Sequence, residues 1–571
     1  MKFMNWLVGG VCLLALALPL CAQTAVVGNW YGVLQTPIGP MTLVFTISEG
    51  EGALRGEMES IDQRTKTPLT SVTVSEGRLE FTILASQISY SGSWIETERQ
   101  WSGVFRQGVQ IPLTLRRGLP PARRRFEALD GVWRALVKRN GVDLRLLLRI
   151  TTDKHGSIIT LDSPDLGATN LPVLFSQDSQ TVRFSVPASG ARFEGTVSND
   201  GATLNGIWTL PGQPEVTITF SRTTVAADTP PRSRPQTPRA PFPYREEEVR
   251  FSNSTAEGVT LAGTLTLPAG AGPFPAAVLL TGSGPQDRDE TIQGHKPFAV
   301  LADHLARNGV AVLRYDDRGI GRSTGDFAAA TSADFATDAN AAVAFLRKRA
   351  EVDPKAIGFI GHSEGGMVAS IAAVDNHDVG FLILLAGPGT NLMQLLLTQQ
   401  RLLGMSQGLS EEDTDRAEPV LANIYASVAK SVDAEDARAR VRALLTADTL
   451  AVLRIPEARR ELLAQQLGSN WFRYFLQVDP PAFLSRIQVP VLALNGTLDL
   501  QVPADANLAA IRMALITAPD ITIRKLEGLN HMFQTARSGA IGEYDDIQET
   551  FAPIALRVVA EWIHARFKPG I

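Results

Sequence analysis

Apolar and polar residues alternate in short runs through the first 225 residues of the chain. Residues 43–47 read Leu-Val-Phe-Thr-Ile and residues 79–83 read Leu-Glu-Phe-Thr-Ile, and turns rich in Gly, Asp, Ser or Pro separate such runs. A period of two residues places alternate side chains on opposite faces of a strand, so that one face can be buried. The pattern therefore predicts an all-β region.

This β region contains an internal repeat. Trp30 recurs as Trp133, and Phe81 recurs as Phe184, in each case 103 residues further along the chain. A constant offset indicates duplication of one folding unit. We predict two β modules, residues 23–120 and 121–225, each with about eight strands in a small barrel or sandwich. Filled cores that act as spacers or docking surfaces are favoured, and an internal ligand cavity is the alternative.

The pattern changes after residues 226–244, which are rich in Pro and polar residues and are typical of an extended linker. Strand-like runs then alternate with helical stretches, which predicts an α/β domain over residues 245–571, with a doubly wound, mostly parallel sheet. Residues 391–480 are helical and amphipathic, which favours an inserted helical cap. The predicted strands are 248–251, 259–267, 276–280, 309–314, 357–360, 381–386 and 489–494.

The N-terminus predicts export. Lys2 precedes the apolar residues 6–18, and Ala22 supplies the small residue at which signal peptidase cuts. The apolar run is shorter than the ~20 residues that a membrane-spanning helix needs, although a retained anchor is one alternative and lipidation of Cys21 is another. We expect a signal peptide over residues 1–22 and a periplasmic or secreted chain without a transmembrane span.

Composition narrows the possible functions. The chain has 44% hydrophobic and 20% charged residues and a net charge of -5, which offers no basic surface for nucleic acid. Its two cysteines, Cys12 and Cys21, both lie in the predicted leader. A mature chain would therefore contain neither a disulfide nor a cysteine-bound metal, and we expect no metal and no cofactor.

A nucleophile motif follows the predicted strand 357–360. Residues 361–365 read Gly-His-Ser-Glu-Gly, and a helix-compatible stretch follows them. In the strand-to-helix elbow of α/β hydrolases the serine sits on a strained turn, and the flanking glycines avoid collisions with neighbouring backbone. The motif alone is weak, but this context predicts Ser363 as a nucleophile.

A serine hydroxyl needs a base to take its proton, and a carboxylate to orient that base. In this fold the chain order is Ser, acid, His. His531 follows the predicted strand 521–526 in a loop, whereas His377 is too close to the elbow and His564 lies in a terminal helix. Asp499 follows strand 489–494 and is the predicted acid; Asp505 is the alternative and is better placed to begin a helix.

Acyl transfer also needs two backbone N–H groups that face the developing oxyanion. One is predicted from Glu364, the residue after the nucleophile, and the other from the loop after the third strand. In that loop Pro285 has no N–H, so Ser283 is the first choice and Gly284 the second. The glycine-rich loop lacks the Lys-Ser/Thr of a phosphate-binding loop.

Five runs together resemble bacterial α/β hydrolases of the serine aminopeptidase-like (S33-type) and acyl-esterase families. The similarity covers about residues 245–570 and not the β modules; it implies a metal-free carboxylesterase-type hydrolase acting on a small ester or amide. The turn Asp316-Asp317-Arg318 is predicted to brace loops near the site through ion pairs. The five runs are 281–290 with 294–298, 314–323, 361–366, 495–503 and 530–531.

Three functions remain open from the sequence. The leading hypothesis is ester hydrolysis through an acyl-enzyme on Ser363, with Asp499 and His531 completing the triad. The second is an aminopeptidase or amidase, whose amine-binding carboxylate the sequence does not identify. The third is a non-catalytic binding protein, which the presence of all three triad residues disfavours. Acyl and alcohol specificity, oligomeric state and any partner of the β modules stay undetermined; the aromatic run 471–475 is a candidate for the pocket lining.

Overall fold

The structure is a computed structural model that describes residues 26–36, 39–50, 53–63, 65–83, 88–107, 109–139, 142–166, 168–211, 213–223 and 234–567. The predicted signal peptide, Cys12, Cys21 and the first part of the predicted linker lie outside these residues. No helix among the described residues is both long enough and apolar enough to cross a bilayer.

The first β module is one antiparallel meander. Its strands are β1 (Gly28–Thr36), β2 (Gly39–Gly50), β3 (Ala53–Ser60), β4 (Thr65–Pro68), β5 (Ser71–Ser75), β6 (Arg78–Ile83), β7 (Ile88–Ile95), β8 (Gln100–Gln107) and β9 (Val109–Arg117). The hydrogen-bonded order β4-β3-β2-β1-β9-β8-β7-β6-β5 joins the first strand to the last. The two outer strands are consecutive in the chain: Leu69 N–H bonds to β3 and Thr70 N–H bonds to β6. The sheet thus curls into an almost closed barrel, called a near-barrel below. Its fourth strand position is divided between the two short strands β4 and β5.

The second β module repeats this arrangement. Its strands are β10 (Gly131–Arg139), β11 (Val142–Asp153), β12 (Gly156–Ser163), β13 (Ala168–Pro172), β14 (Leu174–Asp178), β15 (Thr181–Val186), β16 (Ala191–Val197), β17 (Thr203–Thr209) and β18 (Val216–Thr223). Strands β10 to β17 each begin 103 residues after their counterparts, and the pairing order is the same. The predicted duplication of all-β units is confirmed. Among the described residues each unit has nine strands where about eight were expected, because the fourth strand position is divided between two short strands.

Each near-barrel has a filled aromatic core. Trp30 and Trp133 are fully buried at equivalent positions, and each indole N–H donates to a backbone carbonyl four residues earlier. Phe184 stacks on Phe193 with ring centroids 5.0 Å apart, and the equivalent pair in the first module is Phe81 with Tyr90. Large buried side chains of this kind supply most of the stabilising apolar burial.

The C-terminal unit is built on an eight-stranded mixed sheet. Its strands are β19 (Arg245–Ser252), β20 (Thr260–Leu267), β21 (Phe274–Leu280), β22 (Ala311–Tyr315), β23 (Val352–His362), β24 (Phe381–Leu385), β25 (Val491–Gly496) and β26 (Ile521–Leu526). Their order is β19-β20-β22-β21-β23-β24-β25-β26, with antiparallel pairing only at β19-β20 and β20-β22. The predicted doubly wound α/β architecture is confirmed.

Helices cover both faces of this sheet. The central strands are apolar on both sides: Val278 packs towards one face and Ala277 towards the other. Such strands require a three-layer arrangement. The helices of the two faces are α1 (Pro297–Arg307), α2 (Ser332–Leu346), α3 (Glu364–Val374), α11 (Ala504–Ala514) and α13 (Pro553–Arg566), and the one-turn helix α12 (Ile541–Tyr544) precedes α13.

A helical cap separates β24 from β25, as predicted. Its helices are α4 (Leu392–Ser406), α5 (Glu411–Ala429), α6 (Ala434–Leu444), α7 (Ala447–Val452), α8 (Arg460–Leu467), α9 (Asn470–Gln477) and α10 (Pro480–Leu484). Side-chain capping fixes several helix starts; Ser410, for example, accepts from Asp413 N–H while Asp413 accepts from Ser410 N–H. The cap has its own apolar core around Ile424, Val428 and Val441.

The described part of the predicted linker lies against the C-terminal unit. Arg234 donates to the carbonyls of Ile547 and Gln293 at 2.6 and 2.9 Å. Gln236 both donates to and accepts from the Phe551 backbone. From Arg234 onwards the segment is therefore bound along its length, while the domain boundaries themselves remain predictions.

Candidate active site

The predicted site residues meet at one edge of the C-terminal sheet. Ser363 follows β23, Asp499 follows β25 and His531 follows β26, while Ser283 lies in the loop after β21. These four strands are parallel, so their carboxyl ends lie at the same edge. Ligand sites of open α/β sheets form at this edge.

Ser363 occupies a strained turn between β23 and α3. Its backbone has φ 53° and ψ −122°, a conformation that non-glycine residues rarely adopt. A Cβ at Gly361 would collide with the carbonyl of Gly365, and a Cβ at Gly365 would collide with the carbonyl of Leu280. The two glycines are thus required for close backbone approach. Strain of this type costs on the order of 1–3 kcal/mol and exposes the serine hydroxyl at the elbow.

His531 and Asp499 form a buried pair. The Nδ1 of His531 lies 2.8 Å from Oδ2 of Asp499, and their side chains are 5% and 0% exposed. The other oxygen, Oδ1, accepts from the N–H groups of Gln501 and Val502, each at 2.8 Å. Because the carboxylate holds Nδ1–H, the Nε2 of His531 is left as the acceptor.

The loop after β21 leaves a small set of N–H groups for an oxyanion. The N–H of Gly282 donates to Glu290 Oε1 at 2.7 Å, and Pro285 has none. Ser283 lines the same cavity as Ser363, whereas Gly284 lines a smaller space on the other side of the loop. This placement favours Ser283 over Gly284 as the second donor.

A second histidine pair supports these loops, and sequence reasoning missed it. His362 is buried; its Nδ1 lies 2.9 Å from Glu290 Oε1, and its Nε2 donates to the carbonyl of His531 at 2.9 Å. Burial opposes the charged imidazole, but the adjacent Glu290 carboxylate outweighs it and raises the pKa of His362. The pair ties together the oxyanion loop, the elbow and the base. The sequence feature that could have revealed this pair is His362, because it lies inside the nucleophile motif.

The side chain of Glu364 links the elbow to the cap. Its Oε1 accepts from Ser332 Oγ at 2.6 Å and from Trp471 Nε1 at 2.8 Å. Burial raises the pKa of this carboxyl. Its backbone N–H lies at the N-terminus of α3, where helix N–H groups have no helical partner. Glu364 can therefore offer an N–H to the site while its side chain holds α9.

The turn after β22 forms two ion pairs, one with the loop after β21 and one with α2, and it holds that loop through a further carboxyl. Asp316 pairs with Arg288 at 2.9 Å, and Arg318 pairs with Asp338 at 2.7 Å. Asp317 instead accepts hydrogen bonds from within the loop after β21, and burial raises its pKa to about 8.

The cavity above Ser363 has a volume of about 360 Å³ and lies between the sheet edge and the cap. This is within the range of small-molecule sites. Among its described lining residues there is no Lys, Arg or Asp. From the predicted aromatic run, Trp471 and Phe475 contribute. Its polar walls come from four glutamines and a tyrosine, which are Gln286, Gln293, Gln399, Gln501 and Tyr544.

Across the described residues, no group of three or more His, Cys, Asp or Glu side chains is arranged to hold a metal ion. The polar residues that line the cavity are Ser363, His531, His362, the four glutamines, Tyr544, Ser283 and the carboxyls Glu290 and Glu364.

Comparison with known proteins agrees with this geometry. Residues 257–511 match the X-Pro dipeptidyl-peptidase family (S15 family), which is less than half of the chain. Esterase EstD of Thermotoga maritima is 27% identical over 272 residues, which cover 48% of this chain and 58% of that protein. The C-terminal unit has the α/β-hydrolase fold. The resemblance drawn from its motifs is thereby confirmed.

Solved structures of low sequence identity also match this domain. The esterase Pf2001 of Pyrococcus furiosus is 15% identical and covers 57% of this chain and 91% of its own, with a TM-score of 0.36. Est1E of Butyrivibrio proteoclasticus is 16% identical and covers 56% of this chain and 96% of its own, with a TM-score of 0.32.

Proposed function

We propose that the α/β-hydrolase domain is a serine hydrolase that cleaves carboxylic esters through an acyl-enzyme on Ser363. One observation carries the proposal: a strained elbow serine lines the same cavity as a histidine that is paired with a buried carboxylate. The similarity to an esterase over 272 residues supports the ester substrate.

The proposed mechanism has two half-reactions, acylation of Ser363 and hydrolysis of the acyl-enzyme. In each of them His531 acts first as base and then as acid. His531 Nε2 takes the proton as Ser363 Oγ attacks the ester carbonyl, and the N–H groups of Glu364 and Ser283 bind the oxyanion. Collapse breaks the bond to the alcohol, which leaves with the proton from His531. Water, deprotonated by His531, then attacks the acyl-serine. Collapse of this second tetrahedral intermediate breaks the bond to Ser363 Oγ, which takes the proton from His531, and the acid is released.

Aminopeptidase or amidase activity is the second candidate, because the matching family is named for a dipeptidyl-peptidase. Binding a peptide N-terminus requires a carboxylate that can turn to the ammonium group. The two carboxyls in the cavity lining, Glu290 and Glu364, already accept hydrogen bonds from inside the domain. This engagement favours the ester.

Replacement of Ser363 by Ala tests the proposal. We expect kcat for short p-nitrophenyl esters to fall by about 10⁴-fold or more, since the nucleophile is removed. Ser370→Ala is the matched control: that hydroxyl is buried on α3 and donates to the carbonyl of Gly366, so kcat should stay within about two-fold.

Undiminished hydrolysis by Ser363→Ala would overturn the proposal. A panel in which aminoacyl and prolyl amides are turned over faster than esters by the unaltered protein would replace it with the peptidase candidate.

A further inference from the structure

An arginine of the second β module contacts the α/β-hydrolase domain beside the active-site cavity. Arg145 lies on β11, and Asp165 holds it from the same module: Nη2 donates to Oδ1 at 2.7 Å, and the backbone N–H of Arg145 donates to Oδ2 at 2.6 Å. The two side chains are 19% and 18% exposed. Because the Asp165 carboxylate accepts several hydrogen bonds from Arg145, it holds the guanidinium in the orientation that contacts the other domain.

The remaining N–H groups of Arg145 cross the domain boundary. Nη2 donates to the carbonyl of Gly542 at 3.1 Å, and Nη1 donates to Asp546 Oδ1 at 3.0 Å. Gly542 packs against Asp165, and a Cβ at Gly542 would collide with the Asp165 side chain. The module thus contacts α12 and the residue two positions beyond it.

Helix α12 is a wall of the active-site cavity. Ile541 and Tyr544 both line the cavity above Ser363. Tyr544 is buried, and its hydroxyl accepts from Gln501 Nε2 at 3.1 Å. The backbone N–H of Gln501 in turn donates to Asp499. A short chain of contacts therefore runs from the second β module to the carboxylate of the triad.

This wall has little internal stability. Helix α12 is only four residues long, and a single helical turn is unstable in isolation. Its position depends on contacts from outside the helix: His295 at the Tyr544 carbonyl from the same domain, Arg145 at Gly542, and Arg234 at Ile547 and Asp545. Segments with few contacts of their own open locally when such ties are lost.

We propose that Arg145 is a positioning residue for the active site, and that the second β module completes the substrate cavity by holding α12 in place. The residue touches neither substrate nor reacting atoms. Its effect should appear in substrate binding more than in the chemical step, because Ser363 and His531 are fixed by the sheet. The kinetic part of this inference rests on the proposed function.

Arg145→Met in the full chain tests the inference. We expect KM for a p-nitrophenyl ester that fills the cavity to rise about ten-fold, with kcat within about two-fold, because a loosened wall weakens ground-state and transition-state binding equally. Arg145→Lys should recover part of this loss, since an ammonium cannot contact Gly542 and Asp546 as a fork.

Arg149→Met is the matched control. Arg149 lies on the same strand and forms the same type of ion pair, with Asp162 at 2.7 Å, but inside the module. Its replacement should leave KM unchanged. An equal rise of KM in both variants would show a general effect on the module and would overturn the inference.

Hydrogen exchange gives a readout that does not need turnover. Amides of residues 537–551 should exchange at least about ten-fold faster in Arg145→Met than in the unaltered chain or in Arg149→Met. Gly542→Ala tests the same contact by a change in the hydrolase domain, which matters if Arg145→Met destabilises its own module. We expect Gly542→Ala to raise KM and to speed amide exchange as Arg145→Met does. Unchanged exchange and unchanged KM in both variants would overturn the inference.

The two proposals fail separately. If the unaltered protein hydrolyses no ester, the proposed function fails, while the exchange experiment still decides whether Arg145 holds α12. If the protein is an esterase and Arg145→Met matches it in KM and in exchange, only the positioning role fails.

Discussion

At the scale of single residues, the site depends on buried charges held by hydrogen bonds. Glu290 and His362 lie behind the oxyanion loop, Glu364 lies beside the nucleophile, and Asp317 lies beneath the loop. The folded pKa values of His362, Glu364 and Asp317 are raised, so the contribution of these groups to stability depends on pH. Asp317 is the clearest case.

Asp317→Asn should remove a pH-dependent cost to stability. Burial raises the pKa of the folded carboxyl from its ordinary value of 3.8 to about 8, so between these values the folded chain keeps a proton that the unfolded chain releases. The free energy of unfolding of the unaltered protein therefore falls as pH rises from about 4 to 8, relative to the variant. We expect the difference between the two curves to grow by about 2–4 kcal/mol over this range and then to level.

Urea unfolding at pH 4.5, 6, 7.5 and 9 measures this difference. Asp375→Asn, whose side chain is 84% exposed, controls for simple loss of a carboxylate. A difference between Asp317→Asn and the unaltered chain that stays constant with pH would contradict the assignment of the buried proton.

At the scale of elements, the cap is joined to the elbow by one polar contact from α9. Trp471 packs on Phe475 within the cap and donates its indole N–H to Glu364, the first residue of α3. The helix that roofs the cavity is thus fixed to the residue that supplies an N–H to the proposed oxyanion site.

Trp471→Phe should weaken this connection while keeping the aromatic packing. Loss of a hydrogen bond to a buried carboxyl costs about 1–3 kcal/mol, so kcat/KM for short esters should fall about ten-fold. Trp562→Phe is the matched control, because Trp562 Nε1 bonds Thr522 Oγ1 on the far side of the sheet. Equal losses in the two variants would show that the contact to Glu364 has no special role.

At the scale of the whole molecule, two near-barrels with separate cores precede one α/β-hydrolase-fold domain. The first barrel contacts the second through Arg123, which pairs with Asp62 at 2.7 Å. Arg145 of the second barrel contacts Gly542 of the α/β-hydrolase-fold domain. The two copies are therefore equivalent in fold and different in position.

The equivalent core residues Phe81 and Phe184 allow the two barrels to be compared. Phe81→Ala and Phe184→Ala should each destabilise their own barrel by about 3–5 kcal/mol, because both rings are buried in aromatic clusters. Hydrogen exchange should show lost protection in the altered barrel. We expect a higher KM only in Phe184→Ala, because that barrel holds α12; a higher KM in Phe81→Ala alone would contradict this division of roles.

The sequence by itself determined the features that depend on near neighbours. The period of two residues marked the β modules, and the offset from Trp30 to Trp133 marked their duplication. The spacing of Gly361, Ser363 and Gly365 marked the elbow, because backbone collisions in a tight turn involve residues a few positions apart. Chain order then singled out Asp499 and His531, which the structure brings to hydrogen-bond distance.

Only the tertiary structure decided the contacts between distant segments. Glu290 reaches His362 across 72 residues, and Arg145 reaches Gly542 across 397. The local sequence pattern does not identify such pairs, because burial and hydrogen bonding depend on how complete elements pack. For the same physical reason the nature of the cavity wall, and the part that the second barrel has in it, could be found only after the chain was folded.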